Sequence, residues 1–138
     1  MSDARFFHDM MDLNLPISKV TIGGDYMYTA GLGEPFDIKA PKPGMRKLFR
    51  KMKALMAERG VGFADVVKVT ALLCGPGVWK DYCDVYAEFF KPPYPCRTTI
   101  PVVGDKPFLE LDFVIFRKGL SQLACNGEKA AGKSMRLK

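Results

Sequence analysis

Leu109, Leu111, Phe113 and Ile115 alternate with Glu110, Asp112, Val114 and Phe116. Successive side chains of a strand point to opposite faces, so this run predicts a strand with one purely apolar face. Two acids and then two apolar residues occupy the other face. Water-facing sides rarely mix these, so that face is expected to be covered as well. Ile17 to Ile22 predicts a strand, Gly23-Gly24-Asp25 a tight turn, and Tyr26 to Ala30 a returning strand. Residues 31–44, GLGEPFDIKAPKPG, read as a Gly/Pro-rich loop. Met45, Leu48, Phe49, Met52, Leu55 and Met56 recur at three- and four-residue steps, which predicts a helix over about 44–59 capped by Gly60. Five Lys/Arg between Arg46 and Lys53 face outward from it. Val66 to Cys74 is a β-branched, apolar strand ended by Gly75-Pro76-Gly77. A second helix over about 78–90 aligns Trp79, Tyr82, Cys83, Tyr86, Phe89 and Phe90 as a core stripe. The stiff KPPYP segment leads to strands at Thr98–Val103 and Phe108–Phe116.

The order ββ-α-β-α-ββ predicts an α+β domain, one mixed sheet with both helices packed on a single face. The opposite face, with Lys68, Leu72, Glu110, Asp112, Val114 and Phe116, would be bare in a lone subunit. That much apolar area predicts a closed homo-oligomer.

With 138 residues the chain can bury a core without metal or disulfide help. No apolar run approaches the ~18 residues of a membrane span, and the acid-bearing start lacks a signal core, so a cytoplasmic protein is expected. Cys74, Cys83, Cys96 and Cys125 show no CxxC spacing, and His8 is the sole histidine, so neither a metal site nor a disulfide framework is expected. His8 reads as a surface residue on an N-terminal arm. The net charge of +6 is concentrated at the end: beyond Gly119, four basic residues face Glu128 alone, half of the excess. Such a tail reads as solvating rather than phosphate-binding. Residues 127–134, GEKAAGKS, match a phosphate-loop pattern letter for letter. The preceding strand and following helix that its chemistry needs are not predicted, so the match reads as coincidence. Gly31-Leu32-Gly33 likewise lacks a dinucleotide loop's third glycine and reads as a turn.

Two polar residues remain. Arg97, held by Pro95, is the expected neighbour of the covered acid Glu110. Such a pair fits either a structural ion pair at a subunit contact or a small-carboxylate site, with a planar guanidinium as two-pronged donor and Glu110 handling water or a proton. Cys96 abuts Arg97, but no general base is evident for it. Cys83 reads as core.

FADVVKVTALLCGPGVWKDYCDVYAEFF (63–90), PCRTTI (95–100), LELDFVIF (109–116) and YTAG (28–31) resemble, in order and spacing, the RidA/YjgF (L-PSP endoribonuclease) family across about residues 16–117. The resemblance implies a ferredoxin-like or chorismate-mutase-like fold and a homotrimer with clefts between subunits. It also implies cofactor-free hydrolysis of 2-imino or enamine acids to 2-keto acids and ammonia. Glu110 would be the catalytic water-handling residue, Arg97 the substrate-carboxylate ligand, and Gly31 a cleft glycine. Ile17 and Thr99 would be substrate-binding positions where the family carries tyrosine and cysteine; Cys83 stands for its helix asparagine. A RidA-like domain at 1–118 followed by a basic extension at 119–138 is the implied organisation. The family allows two other readings: a non-catalytic ligand-binding or chaperone-like trimer, and an RNA-binding endoribonuclease. The second finds no aromatic-interleaved basic patch and no histidine pair here, so a nucleic-acid partner is not expected.

Overall fold

The structure, a computed structural model, describes residues 6–10 and 15–122. His8 falls on a described strand, but its side chain, Cys125 and the GEKAAGKS segment lie outside the described residues. Strand β1 (Phe6–Met10) pairs antiparallel with β2 (Ser18–Gly23), which turns through Gly24-Asp25 into β3 (Tyr26–Thr29). Gly24 sits at φ 60°, the left-handed conformation that a two-residue hairpin loop requires and a glycine adopts without strain. A short strand β4 (Leu32–Pro35) leads to helix α1 (Lys42–Ala57), β5 (Val66–Cys74), helix α2 (Trp79–Phe89), β6 (Cys96–Pro101) and β7 (Phe108–Phe116). Among the described residues these strands form one seven-stranded sheet in the order β1-β2-β3-β7-β5-β6. Strand β7 carries β3 and β4 one after the other along a single side. Only β5 and β6 run parallel, with α2 as their crossover.

The alternation along β7 is realised as expected: Leu109, Leu111, Phe113 and Ile115 are buried and the intervening residues are not. With Val20, Ile22, Met27, Val69 and Ala71 they form the sheet side of the core. Met45, Leu48, Phe49 and Met52 of α1 and Tyr82, Val85 and Tyr86 of α2 form the helix side. The fold is thus the α+β, ferredoxin-like arrangement, a mixed sheet with both helices on one face. Gly60 closes α1 at φ 71°, with Val61 N donating to Met56 O at 3.2 Å.

Strands β1 and β4 depart from the sequence reading, which placed an arm and a loop there. The four residues LGEP show no alternation and include Gly and Pro, both poor strand formers. The strand exists because β7 is long enough to offer ladder positions beyond the end of β3, with Leu32 opposite Leu111 and Pro35 opposite Phe108. Its Glu34 is buried under α1, bound to Lys47 at 2.6 Å and also to Lys51. Helix–helix contact is framed by Arg46, which donates to Glu88 through two nitrogens at 2.8 Å, and by Lys42, 3.0 Å from Asp84.

The second sheet face stays open. Tyr28 is 47% and Phe116 41% exposed, with Ile100 and Tyr26 exposed beside them. The Tyr26 ring packs edge-on against Phe116 at 5.1 Å. No helix among the described residues is long and apolar enough to cross a membrane.

Candidate functional site

Register decides which face each candidate occupies, because residues directly opposite one another across a ladder point the same way. Arg97 lies opposite Val69, and Thr99 opposite Ala71, both core residues. Arg97 and Thr99 therefore project to the helix side. Glu110 lies opposite Leu72 of β5 and Gly33 of β4, on the open side. Within one chain Arg97 and Glu110 are therefore not neighbours. The two groups leave opposite faces, and strand β5 runs between their strands.

The Arg97 side is built by α2. The guanidinium carbon stands 4.6 Å from the ring centre of Tyr86, 5.1 Å from Tyr82 and 5.4 Å from Trp79. Positions 79, 82 and 86 share one helix face, so three aromatic quadrupoles converge on one cation. Nη2 lies 3.8 Å from Cys83 Sγ. Thr99 donates to the Tyr82 hydroxyl at 3.4 Å. Burial pushes the Tyr86 phenol up to about 12 and raises Tyr82 as well, so both remain neutral beside the charge. Among the described residues the buried Tyr86 hydroxyl has no hydrogen-bond partner. A cleft of about 340 Å³ opens at Arg97, bounded by Cys83, Tyr86, Ala87, Tyr94 and Pro95.

Sequence reasoning treated the stripe on α2 purely as core. Tyr82 and Tyr86 are buried, but Trp79 is 54% exposed and lies over the arginine. A core stripe and a cradle around a neighbouring strand's cation have the same helical spacing, so periodicity alone could not separate them. Cys83 is half-buried, at the edge of the core and against Arg97.

Gly31 and Glu110 are brought together on the open side. Gly31 sits at the break between β3 and β4, where Thr29 Oγ1 accepts from Phe113 N at 2.9 Å. A Cβ built on Gly31 would collide with Glu110 Oε1 and lie 2.9 Å from its carboxyl carbon. The glycine is thus the floor on which the carboxylate rests. Asp112, two residues on, lies opposite Thr70 on the same face. Burial raises its carboxyl above the usual range, with Thr70 and Lys68 partly offsetting the shift. Ile17 stands exposed at the start of β2. Cys96 is exposed on the open side with its thiol donating to Val67 O at 3.3 Å, away from the Arg97 cleft.

One chain therefore carries two separate polar features: the Arg97 cation in an aromatic cradle at the β6 edge, and the Glu110 carboxylate packed on Gly31 on the open sheet face. Relatives are recognisable at this point. The RidA protein of an Antarctic Psychrobacter species superimposes with a TM-score of 0.64 at 19% identity, over 85% of this chain and 97% of that one. A YjgF-family protein from Neisseria meningitidis gives 0.68 at 11% identity, over 84% and 98%. A yjgF-family protein from Streptococcus pyogenes gives 0.68 at 17%, over 82% and 97%. These likenesses carry the fold. The profile described as Endoribonuclease L-PSP matches residues 14–110, and with the RidA/YjgF architecture around them the chain belongs to that family.

Proposed function

We propose that the protein hydrolyses reactive 2-imino or enamine acids to 2-keto acids and ammonia, without a cofactor, in clefts shared by the subunits of a homotrimer. The observation that carries this reading is the division of Arg97 and Glu110 between opposite faces. Each is held in a built environment, and neither is neutralised by the other. Juxtaposing the β6 edge of one protomer with the open sheet face of the next would complete a site holding one cation and one carboxylate. The exposed Tyr26, Tyr28, Ile100 and Phe116 give that face a reason to be covered.

Arg97 would grip the substrate carboxylate through its planar fork, each charge-assisted hydrogen bond contributing ~1.5–3 kcal/mol. Glu110 of the neighbouring protomer would hold a water against the imine carbon. As the water oxygen bonds to carbon, the C=N π pair moves to nitrogen and Glu110 takes the water's proton. The carboxyl then returns that proton to nitrogen. The C–N bond then breaks as the carbinolamine oxygen forms the carbonyl, its hydroxyl proton passing to Glu110 and on to the departing ammonia, which leaves as ammonium. A protonated imine is already electrophilic, so positioning and one acid–base group suffice.

The RNA reading gains nothing from α1, because Lys42, Arg46, Lys47 and Lys51 of its basic face are engaged by Asp84, Glu88 and Glu34. The direct test is ammonia release from 2-iminobutyrate generated in place. Arg97→Ala should raise KM, and Glu110→Gln should lower kcat about a hundredfold or more while 2-oxobutyrate still binds. Undiminished kcat in Glu110→Gln would remove Glu110 from the chemistry, and no turnover by the parent with 2-oxobutyrate still bound would mark a binding protein instead of an enzyme.

A further inference from the structure

We infer, resting on that deaminase reading, that the site selects acids with a large, flat, apolar side chain, the imines of aromatic amino acids foremost. The geometry around Arg97 carries this. With a carboxylate seated on the guanidinium, the protomer's own walls of the cleft of about 340 Å³ carry no second charged side chain among the described residues, Glu110 coming from the neighbour. Cys83, Tyr86 and Ala87 come from one face of α2, at i, i+3 and i+4. Tyr94 and Pro95 come from the connection into β6 and face them. The walls are therefore two phenol rings, a pyrrolidine, a methyl and a thiol. Rings favour stacked or edge-on neighbours beyond simple area burial.

Size points the same way. At roughly 30 Å³ per molecule, the cleft holds on the order of ten waters. A three- or four-carbon acid would leave most of that water against apolar walls. A benzyl side chain would displace it, and apolar groups gain from leaving water in proportion to area. Ala87 sets the depth: it is the smallest side chain in the wall and lies on an exposed helix position, where a larger residue fits without disturbing the core.

Calorimetric titration of the full-length protein with pyruvate and phenylpyruvate separates this inference from the reaction itself. Phenylpyruvate should bind at least about tenfold more tightly, and Ala87→Leu should bring the ratio of the two constants towards one. Equal affinities, or tighter pyruvate, would overturn the inference, as would a ratio indifferent to Ala87→Leu. A parallel turnover assay uses imines made from alanine, leucine and phenylalanine by an amino-acid oxidase. Highest kcat/KM for the phenylalanine imine supports the selectivity, and highest for the alanine imine overturns it while leaving a deaminase. If no imine is turned over but phenylpyruvate binds selectively, the reaction falls and the pocket's preference stands.

Discussion

Gly31 is constrained by what lies above it rather than by its backbone. Its φ is outside the left-handed region, so an L-residue could adopt it, but a Cβ would occupy the space of the Glu110 carboxylate. Gly31→Ala should leave the unfolding midpoint nearly unchanged. It should lower kcat by about ten- to a hundredfold with little effect on KM, because Glu110 shifts while Arg97 is held elsewhere. A parallel rise in KM would show that the two halves are not independent. At this scale the two polar candidates were legible as residues, a guanidinium behind Pro95 and an acid on an alternating strand, but not the faces they take. Nor was the cradle legible, since Tyr82 and Tyr86 obey the core periodicity whether or not a cation lies against them. Only the seating of β6 beside α2 reveals their second contact.

At the level of elements, β4 is held by an interaction that hydropathy cannot express. Glu34 is a charged residue at a buried position, and it is tolerated there because Lys47 and Lys51 reach it from α1. Hydrogen bonds from the two lysines hold its carboxyl below the ordinary glutamate range. A depressed carboxylate stabilises the fold above its unfolded pKa and loses that contribution as pH falls through its folded value. Glu34→Gln should therefore lower stability at pH 7 by on the order of 1 kcal/mol, the lysine ends being exposed to solvent. The difference from the parent should shrink steadily on acidification past the normal titration of glutamate. Urea midpoints across that range check this, and a pH-independent gap would point to packing instead. The longer elements were legible because periodicity over many residues outweighs any single position: α1, α2, β5 and β7 fall close to their expected bounds. Strands β1 and β4 were hidden because their pairing is dictated by partners far along the chain.

For the whole molecule, the alternation along β7 already implied a second face in need of cover. It could not say which face Arg97 takes. That depends on how the parallel crossover through α2 sets β6 against β5, a register with no local signature. The assembly proposed from this geometry makes a demand that a single-chain site does not. Arg97→Ala and Glu110→Gln, each strongly impaired alone at substrate well below the raised KM, should restore activity when co-expressed, since a mixed trimer pairs an intact arginine with an intact glutamate at some contacts. Random assembly from equal amounts predicts about a quarter of the parental rate per subunit. No recovery in demonstrably mixed trimers would place both groups in one protomer's site, against the register found here.

Because Arg97 and Glu110 point away from each other, a solitary protomer would own every reactive group and still be idle. Output would then follow the population of assembled contacts instead of the number of chains, and mass action would make it fall faster than linearly on dilution. A cell could silence such a protein by thinning it out, with no inhibitor and no chemical change to the polypeptide.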